Sequence, residues 1–235
     1  MESRKVAVIT GASQGIGAGL VSAFRELGYA VIANSRSIGV SQDSDVITVA
    51  GDISDPKVAK NVVSAAVRHF GRIDTLVNNA GVFVGKPFTE YTQEDYDHVL
   101  QVNLGGFFHI TQQAIAQMLD QGYGHVVNTT TTLVENANSN VPSALTSLTK
   151  GGLSSVTKSL AIEYASRGIR VNAVSPGIIE TTMHSEEAHE ALASLHPVGR
   201  IGTIDDMTRG VLYLEQAPFV TGEFLHIDGG LIAGS

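Results

Sequence analysis

Short β-branched runs alternate with helical stretches from one end of this chain to the other, and few folds accommodate that order. Lys5-Val-Ala-Val-Ile-Thr10 is an apolar run that ends in a glycine turn. Ile16, Leu20, Phe24 and Leu27 follow at helical spacing, and Gly28 closes that helix. Further strands are expected at residues 30–33, 46–49, 75–77, 125–127, 169–174 and 224–227. The stretch 34–45 is rich in Ser, Gly and Asp and is too short and polar for a crossover helix. Ser54-Asp-Pro56 starts a helix that Gly71 ends. Thr92 caps a long helix on which Val99, Val102, Gly106, Ile110, Ala114 and Met118 share a face. Residues 142–167 hold a second long helix, with Gly152, Val156, Leu160 and Tyr164 in register. The expected fold class is therefore α/β: a Rossmann-type, doubly wound parallel sheet with helices on both faces, built as one domain over residues 1–235.

Composition narrows the function. At 235 residues, one α/β domain with a large core is the natural size. No apolar run reaches the roughly 18 residues of a membrane span. Met1-Glu-Ser-Arg-Lys5 leads into a strand rather than a signal-peptide core. The chain has no cysteine, which removes disulfides and thiol chemistry, and a cytoplasmic location is the simplest expectation. A net charge of -8 argues against a nucleic-acid surface. His184, His189 and His196 fall in one segment, but spacings of five and seven suit no common zinc pattern, so no metal is expected.

Thr10-Gly-Ala-Ser-Gln-Gly-Ile-Gly17 joins the first strand to the first helix. Glycines there let a phosphate approach the backbone, and the helix N-terminus offers free N–H groups and a partial positive charge. The spacing has three residues between the first two glycines.

With that spacing, the chain resembles the short-chain dehydrogenase/reductase family. Asn78-Asn-Ala-Gly81, Val102-Asn-Leu104, Lys150 before Gly151-Gly-Leu153, Asn172-Ala-Val-Ser-Pro-Gly177 and Asp228-Gly-Gly230 match its motifs in order. The resemblance implies a nicotinamide dinucleotide cofactor. Gly11, Ser13, Gln14, Gly15, Ile16 and Gly17 would surround its diphosphate and adenosine ribose. Asp52 and Ile53 would contact the adenine, and Asn79, Ala80 and Gly81 the ribose side. Pro176, Gly177, Ile179 and Thr181 would meet the carboxamide. After the second strand, Asn34-Ser35-Arg36 carries no carboxylate to accept a 2′-hydroxyl. Ser35 and Arg36 suit a 2′-phosphate instead, so NADP(H) is preferred and NAD(H) is the alternative. Gln14 stands where many NADP-preferring relatives carry a basic residue.

In that family a tyrosine is the general acid/base, a lysine lowers its pKa and binds the nicotinamide ribose, a serine binds the substrate oxygen and an asparagine holds a relay water. Lys150 and Asn103 fill two of these positions. Four residues before Lys150 stands Thr146, not tyrosine. Thr131 aligns with the serine, with Thr130 and Thr132 as alternatives, because Thr131 precedes Thr146 by 15 residues, about two more than usual. The resemblance thus implies an oxidoreductase moving hydride between NADP(H) and a small carbonyl, alcohol or enone, with an atypical threonine site. A catalytically silent NAD(P)-binding protein and a non-redox lyase or isomerase are the alternatives. Retention of Lys150, Asn103 and Pro176-Gly177 at the nicotinamide end favours the first. Tyr164 and Tyr123 are placed away from the site, while Glu135 and His184 are within reach of a cleft. Residues 180–202 are expected to form a short substrate lid, with Ser185 and Pro197 bounding a helix. A homodimer or homotetramer through helices near 92–119 and 142–167 is also implied.

Overall fold

Five residues near the N-terminus form the centre of the sheet. Val6–Thr10 (β1) is buried along its whole length because helices cover both faces. The computed structural model describes residues 4–181 and 189–234. Its other strands are Ala30–Ser35 (β2), Val46–Ala50 (β3), Thr75–Asn78 (β4), Gly124–Thr129 (β5), Ile169–Pro176 (β6) and Phe224–Ile227 (β7). The order is β3-β2-β1-β4-β5-β6-β7 and every pairing is parallel. Strand order reverses between β1 and β4, so a crevice opens there at the carboxyl ends.

Successive strand residues face opposite sides. Ala7 and Ile9 of β1 pack with Leu20 and Phe24 of α1 (Gly15–Glu26) and Met207, Val211 and Leu214 of α7 (Ile204–Gln216). Val6 and Val8 face α2 (Pro56–Phe70), α4 (Gly106–Gln121) and Ala161 of α5 (Ala144–Tyr164). Each fully buried Leu, Ile or Phe stabilises by about 1.5–3 kcal/mol. The helix ends are set locally. Asp55 accepts from Lys57 N ahead of Pro56, and Gly71 at φ 78 ends α2. Thr92 and Thr203 each form a capping box with an aspartate, Asp95 and Asp206.

Two helices differ from expectation. The helix after Thr92 is α3 (Gln93–Leu100) and α4 joined by a π turn over Gln101–Gly105. The stripe from Val99 to Met118 stays buried across the break. In α5, the face of Gly152, Val156, Leu160 and Tyr164 is exposed or half-buried rather than central. The buried face is Leu145, Thr149, Leu153, Thr157 and Ala161. Its hydroxyls are satisfied internally: Thr157 Oγ1 accepts from Asn128 Nδ2 at 2.9 Å and donates to Leu153 O at 2.7 Å. A hydropathy pattern reads such threonines as surface.

A polar cluster closes the opposite, amino end of the sheet. Glu215 accepts from Tyr29 OH, Thr75 Oγ1 and His125 Nδ1, each at 2.7 Å. Asn172 Nδ2 donates to His125 Nε2 at 3.0 Å and to Val220 O at 3.0 Å, and Asn172 Oδ1 accepts from Glu223 N. Nε2 must therefore accept, which makes His125 the neutral Nδ1–H tautomer. Among the described residues, no helix is long and apolar enough to cross a membrane.

Candidate active site

The glycine turn is shaped by close approach. Gly11 and Gly15 have φ of +66° and +54°, where a side chain is strained. A Cβ on Gly17 would collide with the Gly11 carbonyl and lie 2.8 Å from Asn79 Nδ2. Gln14, the extended N-cap of α1, makes no side-chain capping bond, and the first turn holds no acidic residue. The N–H groups of that turn are thus left for an outside acceptor. Thr10 ties the turn to the next strand: its Oγ1 accepts from Asn79 N at 3.1 Å and Ala80 N at 3.0 Å, while Asn79 Nδ2 donates to Thr10 O.

The flank of the turn carries the residues expected at the adenosine end. Ser13 and Ser35 share a 2.8 Å hydroxyl–hydroxyl bond. Arg36 is exposed beside them in sequence. Asp52 is bound by Ser54, whose N and Oγ donate to its Oδ1 at 3.0 and 2.8 Å. Burial pushes that carboxyl up, but the Ser54 bonds and the Arg36 charge hold it below the usual range. Ile53 turns its side chain into the core, against Gly106.

Across the crevice the π turn presents Asn103, which is 1% exposed. Its Oδ1 accepts from Val82 N at 2.8 Å, and its Nδ2 donates to Val82 O and to Thr149 Oγ1, both at 3.1 Å. Lys150, one residue further along α5, is buried and donates from Nζ to Thr129 O at 2.8 Å. A Cβ on Gly81 would lie 3.0 Å from Lys150 Nζ and 3.3 Å from Asn103 Oδ1. Asn103, Gly81 and Lys150 therefore meet at one point. Burial lowers the Lys150 ammonium to about 8.

The threonine run divides by role. Thr130 spends its hydroxyl proton on Val174 O at 2.9 Å. Thr132 is buried. Thr131 is half-buried, and its oxygen accepts from Leu133 N, which leaves its own proton free to donate. Among the described residues, three buried hydroxyls have no hydrogen-bond partner: those of Thr129, Thr146 and Ser175. All three sit at or near the elements that end on the crevice, β5, α5 and β6. Orphaned buried hydroxyls and an open helix N-terminus fit a polar, phosphate-bearing dinucleotide.

Pro176 is buried at the end of β6, and a Cβ on Gly177 would lie 2.8 Å from His196 Nε2. Ile178 N donates to His196 Nε2 at 3.1 Å, and His196 Nδ1 bonds Leu192 O at 3.0 Å. Ile179 pairs with Gly202, and Thr181 reaches within 3.5 Å of a Cβ placed on Gly15. Sequence reasoning weighed His196 only as a metal ligand, gave Ser175 no role within its motif, and passed over Thr129 and Thr149. Only the apolar neighbours Leu195 and Pro197 hinted that His196 points inward. Glu135 is paired with His226 at 2.8 Å. Tyr123 stacks its ring 5.0 Å from Arg72, and Tyr164 lies at the far end of α5. His184 and Ser185 lie outside the described residues. The short helix α6 spans His189–Ala193. No cluster of metal-binding side chains occurs among the described residues.

Fold and site together define a dinucleotide-binding α/β protein of the doubly wound class. Residues 11–232 match a family profile described as enoyl-(acyl carrier protein) reductase. The chain is 37% identical to a 3-oxoacyl-[acyl-carrier-protein] reductase FabG of Thermotoga maritima, covering 97% of this chain and 98% of that protein. It is 35% identical to 3beta-hydroxysteroid dehydrogenase 1 of Eggerthella lenta, covering 97% and 93%. The structure superposes on ElxO, solved with NADP bound, at a TM-score of 0.91 and 29% identity over 98% of this chain and 99% of that one. The chain belongs to the short-chain dehydrogenase/reductase family and is an oxidoreductase of that type.

Proposed function

We propose that this protein transfers hydride between NADP(H) and a small carbonyl, enone or alcohol, using a site in which Thr146 stands in place of the family's tyrosine. The meeting of Asn103, Gly81 and Lys150 carries the reading. These groups serve the nicotinamide end, and a protein that only bound adenosine would have no use for them. ElxO, with NADP bound, supports the choice of cofactor. So do Ser13, Ser35 and Arg36, which offer two hydroxyls and a guanidinium where a 2′-phosphate would lie.

When bound, the dinucleotide supplies the hydride. The first turn of α1 holds its diphosphate, with Gly11, Gly15 and Gly17 keeping the backbone close. Lys150 fixes the nicotinamide ribose. Thr131 donates to the substrate oxygen, and Asn103 holds the loop from Gly81 to Val82 in place. Pro176, Gly177, Ile179 and Thr181 line the carboxamide side, with part of residues 180–202 covering the substrate as a lid on the single domain. A second copy of the chain packs on the outer faces of α4 and α5, where Phe108, Leu148 and Ile162 are exposed.

The silent-binder reading is favoured by one observation, the Thr146 hydroxyl buried without a partner. NADPH oxidation against a broad carbonyl and enone panel separates the two, comparing wild type with Thr146→Tyr. Turnover by wild type at least as fast as the variant supports a working reductase. Turnover by the variant alone supports the silent binder. If NADPH fluorescence does not change on titration, the cofactor reading itself fails.

A further inference from the structure

Hydride addition to a carbonyl carbon pushes the C=O electron pair onto oxygen, and that oxygen must take up a proton. Thr146 is an aliphatic alcohol, far too weak an acid to provide it. We propose that Lys150 is itself the terminal general acid, delivering a proton from its ammonium group to the substrate oxygen. The inference rests on the oxidoreductase reading above.

The placement of Lys150 supports it. The residue is 7% exposed, and among the described residues its Nζ donates to Thr129 O. An ammonium has three protons, so two remain for other acceptors. Among the described residues, the elements packed around Nζ present no acid. The π turn offers the Asn103 amide, β5 the Thr129 carbonyl and the β4 exit Gly81. Glu135, which follows β5, is held by His226. Among the described residues no charged group perturbs Lys150; burial brings it down to about 8. A free lysine near 10.4 holds its proton too tightly at neutral pH, but one near 8 exchanges it readily. In the family the lysine tunes a phenol. Here the described residues bring no phenol and no counterion to it, and burial tunes the lysine.

The step balances. Hydride leaves C4 of the dihydronicotinamide and forms a C–H bond at the substrate carbon. The carbonyl π pair moves to oxygen. An N–H bond of Lys150 breaks as the O–H bond forms, and the neutral amine regains its proton from solvent. The carbonyl is reduced by two electrons and the dinucleotide is oxidised by two.

The test begins with NMR of 13C-lysine-labelled protein, free and with NADP+, following each lysine Cε from neutral to strongly alkaline pH. Lys150→Arg assigns the resonance while keeping the positive charge. One lysine titrating near 8, absent from Lys150→Arg, is expected. If every lysine titrates near 10 in both states, the proposal is overturned. The second arm uses any substrate the panel yields. Wild-type kcat/KM for reduction should fall about tenfold per pH unit above the same midpoint, and Lys150→Arg, whose contact with the ribose is also altered, should lose turnover even at saturating NADPH. Unchanged turnover by Lys150→Arg overturns the proposal. If NADP+ shifts no resonance and NADPH fluorescence is unchanged, it is the cofactor reading that fails, which separates the two.

Discussion

Acid should destabilise this protein through the polar cluster under the sheet, and Glu215 is where to test it. Burial alone would raise this carboxyl. The bonds from His125, Thr75 and Tyr29 overcome that and bring it down from 4.5 to about 2. A carboxylate with a depressed folded pKa contributes stability that is complete above its unfolded value. That stability is lost as pH falls from about 4.5 through about 2. A gap of this size is worth at most about 3 kcal/mol. His125 acts earlier. Burial lowers it from 6.5, against the pull of Glu215, and its Nε2 is already taken by Asn172. Folding thus favours its neutral form, and stability drops as pH falls below 6.5, by no more than about 1.4 kcal/mol per pH unit. Glu215→Ala strands three buried donors at about 1–3 kcal/mol each. We expect about 4 kcal/mol of destabilisation at neutral pH. Glu215→Gln, which keeps one acceptor, should cost about half of that and flatten the acid limb. Urea midpoints for the three proteins between about pH 4 and pH 8 decide it. If Glu215→Gln matches wild type at every pH, the cluster does not stabilise the fold as argued.

Three further outcomes are expected. Gly17→Ala drives a methyl into the Gly11 carbonyl, so the loop must shift by about 1 Å and NADPH affinity should fall about 10²-fold in a fluorescence titration; affinity within about twofold of wild type would show that the loop yields without losing its shape. Arg36→Ala should weaken NADPH by about 10–100-fold at low salt and leave NADH unchanged, the loss of one charge-assisted contact; equal loss for both nucleotides would remove Arg36 from the 2′ site. Asn103→Ala leaves the Val82 N–H and C=O without their partner and should lower stability by about 2 kcal/mol, read as a drop in Tm.

The strands, the parallel sheet and several helix starts were legible because strands buried on both faces read as continuous apolar runs, as Val6 to Thr10 does, and because caps such as Asp55-Pro56 and Thr92 are local signals. The glycine turn was legible for the same reason, since its glycines answer to backbone geometry within eight residues. What escaped depends on partners distant in sequence. Thr149 meets Asn103 from 46 residues away and His196 meets Ile178 from 18. Neither contact leaves a periodic trace. The π turn adds a residue to a helical repeat without changing which side chains are buried, so hydropathy reads straight through it. The buried face of α5 was misplaced because Thr149 and Thr157 hide their hydroxyls in internal bonds.

Those same contacts bear on how a tyrosine position could change without loss of the site's frame. Asn103 engages α5 through Thr149, not through residue 146. Lys150 is held through Thr129 O, again without residue 146. The Thr146 hydroxyl bonds to nothing. The frame that positions Asn103, Gly81 and Lys150 therefore draws on residue 146 only through its backbone carbonyl, which accepts from Thr149 Oγ1 at 3.2 Å, and the side chain at 146 is free of it. On the proposed reading, a methyl-bearing alcohol in place of the phenol takes an acid from the crevice, and no side-chain bond of that frame runs through residue 146. Selection could then act on the proton source separately from the scaffold. The retained, charge-isolated Lys150 is the group on which such a change would fall.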